Sequence, residues 1–483
     1  MRTAIIGGGI GSLVTALYLQ KQGDDVTIYE KKQKLGGRLA FVEEGEFKID
    51  EGPTIILLPT MLREILEDID ISESELEMLP IDPMYPIHFK DGTTFTKWSN
   101  EKKQLEEIES LFPGEAENYK KYINDMSEHF LQGKAAFLEK SFENRRSFWT
   151  KTNMQTLLKL KAYQTVQKQA RDYFKEKKLQ EAFSLQTLYI GGSPEQTPAI
   201  YSLVSYSEHD HGIWYLKGGY ARLVEILVSE IEKRGVQVEL ESDVKKIITK
   251  QQQATALILH GREIVYDRFI INGDLPVARS LVEEKPKRTF TPSSGGILIY
   301  LGLDGKLDTD HVHQFFMGED LNELMEDIFG RKQLPQDPAF YVFHPSIIDP
   351  TLAPEGKSVA YVLIPVPSNT DISVGEYEAY SEVVLEKMEK LLDHKIKNKI
   401  IWKKVRTPHD SQRDGLFQGG CFGIAPTLFQ SGVFRPQLKP FSYDNVYAVG
   451  ASIHPGGGVP IVMQGAKLLA EHIKSIGNET KTV

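Results

Sequence analysis

The sequence predicts an α/β fold in which a discontinuous dinucleotide-binding domain is interleaved with a mixed α+β domain and a helical insert. Three features of the chain point to it. A strand–glycine turn–helix–strand unit occupies residues 2–30, and a second Gly-rich strand-to-helix turn runs from Gly450 to Pro460. Between them α/β material recurs, separated by a helical stretch and a β-rich one. The expected boundaries place 1–95, 206–285 and 416–483 in the nucleotide domain. Residues 96–205 form the helical insert and 286–415 the β-rich substrate domain.

In the first unit, Thr3 to Ile6 is a short apolar run and Leu13 to Gln22 carries helical periodicity. Gly23 stops the helix, and Val26 to Tyr29 resumes in β-type residues. The intervening loop is Gly7-Gly8-Gly9-Ile10-Gly11-Ser12. Gly7 permits the tight turn and Gly9 lets backbone approach a pyrophosphate, which the helix N-terminus then attracts through its unpaired N–H groups. Ser12 stands where the third glycine of the fingerprint falls, with Gly11 beside it to relieve crowding. Glu30 ends the second strand, where a carboxylate can accept hydrogen bonds from both ribose hydroxyls and repel a 2′-phosphate. The fingerprint alone does not separate NAD from FAD. Its continuation adds Gly36-Gly37-Arg38 and then Gly52-Pro53-Thr54, further N–H donors and a fixed cation for a diphosphate.

Downstream, Ala221 to Lys233 reads as a helix, with strands at Val236 to Leu240, Val244 to Thr249 and Tyr266 to Ile271. Gly296 to Leu303 and Val359 to Pro365 read as strands, and Glu376 to Leu392 as a helix. The last strand, Val446 to Val449, leads into Gly450-Ala451-Ser452-Ile453-His454-Pro455-Gly456-Gly457-Gly458-Val459-Pro460. Pro460 suits the first position of the following helix. A glycine-lined helix start offers backbone donors and a positive dipole to the N1–C2=O edge of a flavin. Two such turns, one at each end of the chain, suit a long cofactor with a pyrophosphate and a distant redox ring, namely FAD. His454 has two readings, a proton donor near the ring or a packing histidine.

Composition narrows the rest. The 483 residues carry a net charge of -10, with 41% hydrophobic and 26% charged content. An acidic chain of ordinary hydrophobicity does not have nucleic acid as its main partner. A single cysteine, Cys421, rules out an intrachain disulfide and any cysteine-rich zinc or iron–sulfur centre, so no metal is expected. It also suits a reducing cytoplasm. No signal peptide and no spanning segment are expected. The segment Lys134 to Lys178 combines Arg145, Arg146, Lys159, Lys161, Lys168, Lys175 and Lys177 with Phe137, Phe142, Phe148, Trp149, Leu157, Leu158 and Leu160. Such a segment either docks on anionic headgroups or is a solvated helical face.

Phe183 to Gly192, Trp214 to Gly219, Leu352 to Lys357 and Asn445 to Ala466 together resemble the FAD-dependent carotenoid (phytoene desaturase-like) desaturases over nearly the whole chain. Gly423 to Thr427, Phe434 to Gln437 and His454-Pro455 are most similar to the bacterial desaturases acting on C30 4,4′-diapophytoene. Relatives that oxidise terminal methyl groups usually carry asparagine at the position of His454. Ser12, and Gly273 in place of alanine, depart from the family pattern. The resemblance implies a glutathione reductase-type FAD-binding domain and a role in carotenoid biosynthesis. It further implies a long apolar polyene as substrate, quinone or dioxygen as electron acceptor, and peripheral attachment to the inner face of the membrane. Val244 and Asp274 match family positions near the adenosine and the ribitol–pyrophosphate. Phe183, Tyr189, Tyr201 and Phe343 are candidates to line the polyene channel, and no general base is assigned. Rival readings are oxidation of the polyene's terminal methyl groups, an amine or porphyrinogen oxidase on the same fold, and a non-enzymatic prenyl-lipid escort.

Overall fold

The computed structural model describes residues 1–142, 145–285, 288–368 and 370–481, without the side chains of residue 145 and residues 478–481. Arg145, one of the cations of the basic segment, therefore lies outside the described side chains.

A five-stranded parallel sheet is assembled from three distant parts of the chain. Its order is Val446–Ala448, Arg268–Ile271, Arg2–Ile6, Asp25–Tyr29, Gln237–Glu239. All but the edge strand Gln237–Glu239 are almost wholly buried, as expected for a sheet covered on both faces. The helix Ile10–Lys21 packs against the terminal helix Val459–Lys481 and against Gly219–Lys233. The first and last segments of the chain thus share one core with the middle one.

The second unit is a seven-stranded sheet in the order Ile400–Arg406, Gly295–Asp304, Lys357–Val366, Phe340–Phe343, His313–Phe316, Tyr85–His88, Thr94–Lys97. It is antiparallel except where His313–Phe316 runs parallel to Tyr85–His88. Two strands that lie before or across residue 95 therefore belong to this sheet, so the expected boundary there cuts through it. They are four-residue strands, one containing Pro86, too short to show a period in the sequence. The insert contains helices Glu101–Leu111, Ala116–Gly133, Lys151–Lys159 and Val166–Tyr173.

Inside the insert, Phe137, Phe142, Phe148 and Leu160 form a small core with Val433. Those four are buried and are not surface anchors, a correction to the docking reading of that segment. Trp149 and Leu158 are the ones left exposed, at 52% and 66%.

Candidate active site

The ends of three adjacent parallel strands converge. The fingerprint loop follows Ile6, Asn272 follows Ile271, and Gly450 follows the strand ending at Ala448. A crevice beyond the carboxyl ends of such strands is where open α/β sheets bind ligands. Asn272 is the point on which both glycine loops press. A Cβ on Gly7 would stand 2.3 Å from the Asn272 carbonyl oxygen, one on Gly9 2.9 Å from its Nδ2, and one on Gly450 2.8 Å from its Oδ1. Asn272 was not singled out in the sequence because its role depends on strands far apart in the chain.

From this point a single cavity of about 1250 Å³ runs through the molecule. That exceeds the roughly 300–1,000 Å³ of ordinary small-molecule pockets. At one end it is bordered by Gly7, Gly9, Glu30, Gly37, Arg38, Gly52, Pro53, Thr54 and Val244, and by Asp274. Gly450, Ala451, His454, Gly458, Val459 and Pro460 border it as well. It then passes along Tyr341 and Leu363 of the second sheet and Tyr189 and Tyr201, and reaches Phe130, Leu157 and Leu158 of the insert. Phe183 and Phe343 do not border it. Phe183 stacks on Phe174 and Phe343 on His313 in the core.

Gly11 and Ser12 also lie away from the cavity. A Cβ on Gly11 would meet the methyls of Val449 and Val462 at 3.2 Å, so Gly11 is the close-packing residue between the first helix and the C-terminal segment. Ser12 is fully buried and donates its hydroxyl hydrogen bond to the Gly7 carbonyl. That bond makes room for the hydroxymethyl where the fingerprint has glycine. Pro460 sits at the second position of its helix, which begins at Val459, and its missing N–H is equally harmless there.

The polar groups fit FAD. The Glu30 carboxylate accepts from the Gly8 N–H at 2.6 Å and the Lys32 N–H at 2.8 Å, which aims it while leaving lone pairs for ribose hydroxyls. Asp274 accepts from the Phe417 N–H at 2.9 Å, and its buried Oδ1 has no partner. Burial holds the Asp274 carboxyl above the usual range, and Arg38 pulls it back. Arg38 is enclosed by protein yet keeps accessible surface because it borders the cavity. The Glu51–Gly52 loop is pinned to the second sheet. Tyr300 donates to the Glu51 carbonyl at 2.7 Å, and Arg406 pairs with the Glu51 carboxylate at 2.5 Å. Thr54, Tyr341 and His313 form a buried hydrogen-bonded chain with spacings of 2.7 and 2.6 Å.

His454 is 2% exposed, and its Nε2 lies 2.9 Å from the Lys140 carbonyl, to which it donates. Burial pushes its pKa down to about 4, so the ring is neutral at physiological pH with its one N–H engaged. It ties the C-terminal loop to the insert, beside Phe142. Among the described residues no group of three or more His, Cys, Asp or Glu is placed to hold a metal.

The model of the flavin-containing amine oxidoreductases matches residues 13–474. The chain belongs to that family. It is 51% identical over 98% of its length to the 4,4′-diapolycopen-4-al dehydrogenase of Metabacillus indicus, covering 97% of that protein. It is 32% identical to the 4,4′-diapophytoene desaturase (4,4′-diaponeurosporene-forming) of Staphylococcus haemolyticus, with 98% of each chain covered. Among solved structures it superposes on an oxidoreductase from Methanosarcina mazei with a TM-score of 0.68 at 17% identity, over 98% of this chain and 100% of that one. It also superposes on putrescine oxidase bound to putrescine, with a TM-score of 0.66 at 13% identity, over 98% and 99%. Membership makes the chain an FAD-dependent oxidoreductase of the carotenoid desaturase-like group, as the resemblance of its motifs implied. FAD is the cofactor, and the fold is the α/β FAD-binding fold of the amine oxidases.

Proposed function

We propose that the chain oxidises a linear C30 apocarotenoid, with desaturation of the polyene backbone as its reaction. The observation that carries this reading is the cavity: one part is bordered by the residues that fit FAD, and the rest mainly by aliphatic and aromatic side chains. A polyene can be held there only by burial of apolar area, at about 25 cal/mol per Å². Bound FAD supplies the hydride acceptor. The chain's own residues align the polyene along Tyr189, Tyr201 and Leu363 and exclude water. The test is expression in a host making 4,4′-diapophytoene, with pigments read by absorption. A longer-wavelength chromophore is expected, and its absence would sink the desaturase reading.

One observation favours a second reaction, oxidation at the end of the chain. Identity is 51% to a protein named for a polyene aldehyde and 32% to a desaturase. Feeding 4,4′-diapolycopen-4-al to the purified protein separates the two, since end oxidation yields a carboxylic acid with the chromophore retained.

An apolar collar surrounds the outer part of the cavity. Trp149, Leu158, Tyr163, Leu428 and Phe429 all border it, with exposures of 52%, 66%, 62%, 42% and 68%. An exposed apolar patch of this kind marks an interaction surface. No helix among the described residues is long and apolar enough to cross a membrane. We read the collar as lying on an anionic bilayer, from which the substrate enters. The triple change Trp149→Glu, Leu158→Glu, Phe429→Glu is expected to lower binding to anionic vesicles at least tenfold while FAD content stays the same. Undiminished vesicle binding would refute the collar's role.

A further inference from the structure

Arg435 is a cation buried without a counter-charge. It is 4% exposed, and among the described residues the one carboxylate that acts on it, Asp274, does so without a direct ion pair. Its η nitrogens donate to the carbonyls of Gln430, at 3.2 Å, and Ala451. Its Nε has no hydrogen-bond partner. Desolvation pulls its pKa down, and Tyr201 and Asp274 compensate in part. Asp274 acts on Arg38 as well, so Arg435 has no carboxylate to itself. A charge taken out of water is costly unless an opposite one meets it. The fold is therefore prepared for an anion at this place.

The place is the C-terminal half of the site. Arg435 borders the cavity and is tied to Ala451, and its Nε is 3.9 Å from where a Cβ on Gly456 would stand. The diphosphate already has the N-terminal loop's N–H groups and Arg38. We propose that Arg435 is the electrostatic partner of the negative charge that the FAD ring gains at its N1–C2=O edge on reduction. This rests on the reading of the cavity as an FAD site. A fixed cation in a dry site acts where charge develops and needs no reorganisation to do so.

Sulfite reads this charge without any polyene. Its sulfur lone pair forms a bond to flavin N5, and the electron pair displaced from the ring comes to rest at N1–C2=O. The purified holoprotein and its Arg435→Gln and Arg435→Lys variants would be titrated with sulfite, and FAD affinity measured in parallel. The glutamine variant is expected to raise the sulfite dissociation constant at least tenfold, with a smaller change in FAD affinity. The lysine variant carries the test by itself if glutamine prevents folding. Its buried ammonium loses its proton as pH rises, so its sulfite binding weakens relative to the unmodified protein, whose guanidinium stays charged. Weakened FAD binding with an unchanged sulfite constant would assign Arg435 to the diphosphate instead. Unchanged sulfite binding with lost polyene turnover would assign it to the substrate. Identical pH profiles for the lysine variant and the unmodified protein would also overturn the proposal. Unmodified protein that takes up no FAD would overturn the site reading itself.

Discussion

Gly7→Ala is expected to yield a protein that retains no FAD and unfolds at lower temperature. Gly7 has φ +96°, and a Cβ there would lie 2.3 Å from the backbone carbonyl oxygen of Asn272. The left-handed conformation costs a non-glycine residue about 1 kcal/mol or more. Overpacking against backbone adds about 1–3 kcal/mol, because a carbonyl in a sheet-end turn cannot swing aside as a long side chain would. Relief would push the loop away from Asn272, the point where both clasps meet. Gly23→Ala serves as the control. Gly23 has φ +91° with nothing within 4 Å, so it bears the backbone cost alone and is expected to keep its flavin. Flavin absorbance after gel filtration and the thermal midpoint check both. Equal FAD content in Gly7→Ala and the unmodified protein would contradict the role assigned to the turn.

The second large effect is acid sensitivity set by buried histidines. Burial pushes the pKa of His344 down to about 4 and that of His313 to about 3, from 6.5. Both are fully buried, and neither ring nitrogen of His344 has a partner. The folded pKa lies below the unfolded one, so the unfolded chain binds the proton first. Each histidine's contribution is complete above about pH 6.5. It is lost as pH falls from there toward the folded value. Between pH 7.5 and 5, His344 alone accounts for about 2 kcal/mol. Asp50 and Glu181, raised by burial to about 8 and about 7, act in the opposite sense, so the comparison must be differential. In His344→Phe the loss of urea stability over this pH range is expected to be about 2 kcal/mol smaller than in the unmodified protein. Equal losses in the two would remove His344 as the cause.

Much of the site was legible because its signals are local. A glycine turn between a strand and a helix is written in consecutive residues, and Glu30 and Arg38 follow at short range. All the residues expected to bind FAD border the cavity except Gly11 and Ser12. Gly11 faces Val449 and Val462, more than 400 residues away, and Ser12 turns its hydroxyl to the Gly7 carbonyl; the fingerprint specifies residue types and not what each packs against. Asn272 gave no local signal for the same reason, and Arg435 only as part of the block Phe434 to Gln437, with no role attached. A lone arginine in a loop becomes informative only when its burial and missing partner are known.

The sequence by itself determined the strand–turn–helix unit at one end, the Gly-rich strand-to-helix turn at the other and the discontinuity between them, since each rests on turn chemistry and apolar periodicity. Tertiary structure alone decided which strands join which sheet, which aromatics of the insert are core and which form the collar, and that both glycine loops close on Asn272. The physical reason is that strand pairing and burial depend on contacts between distant segments, and four-residue strands such as Tyr85–His88 and Thr94–Lys97 carry no periodicity to announce their partners.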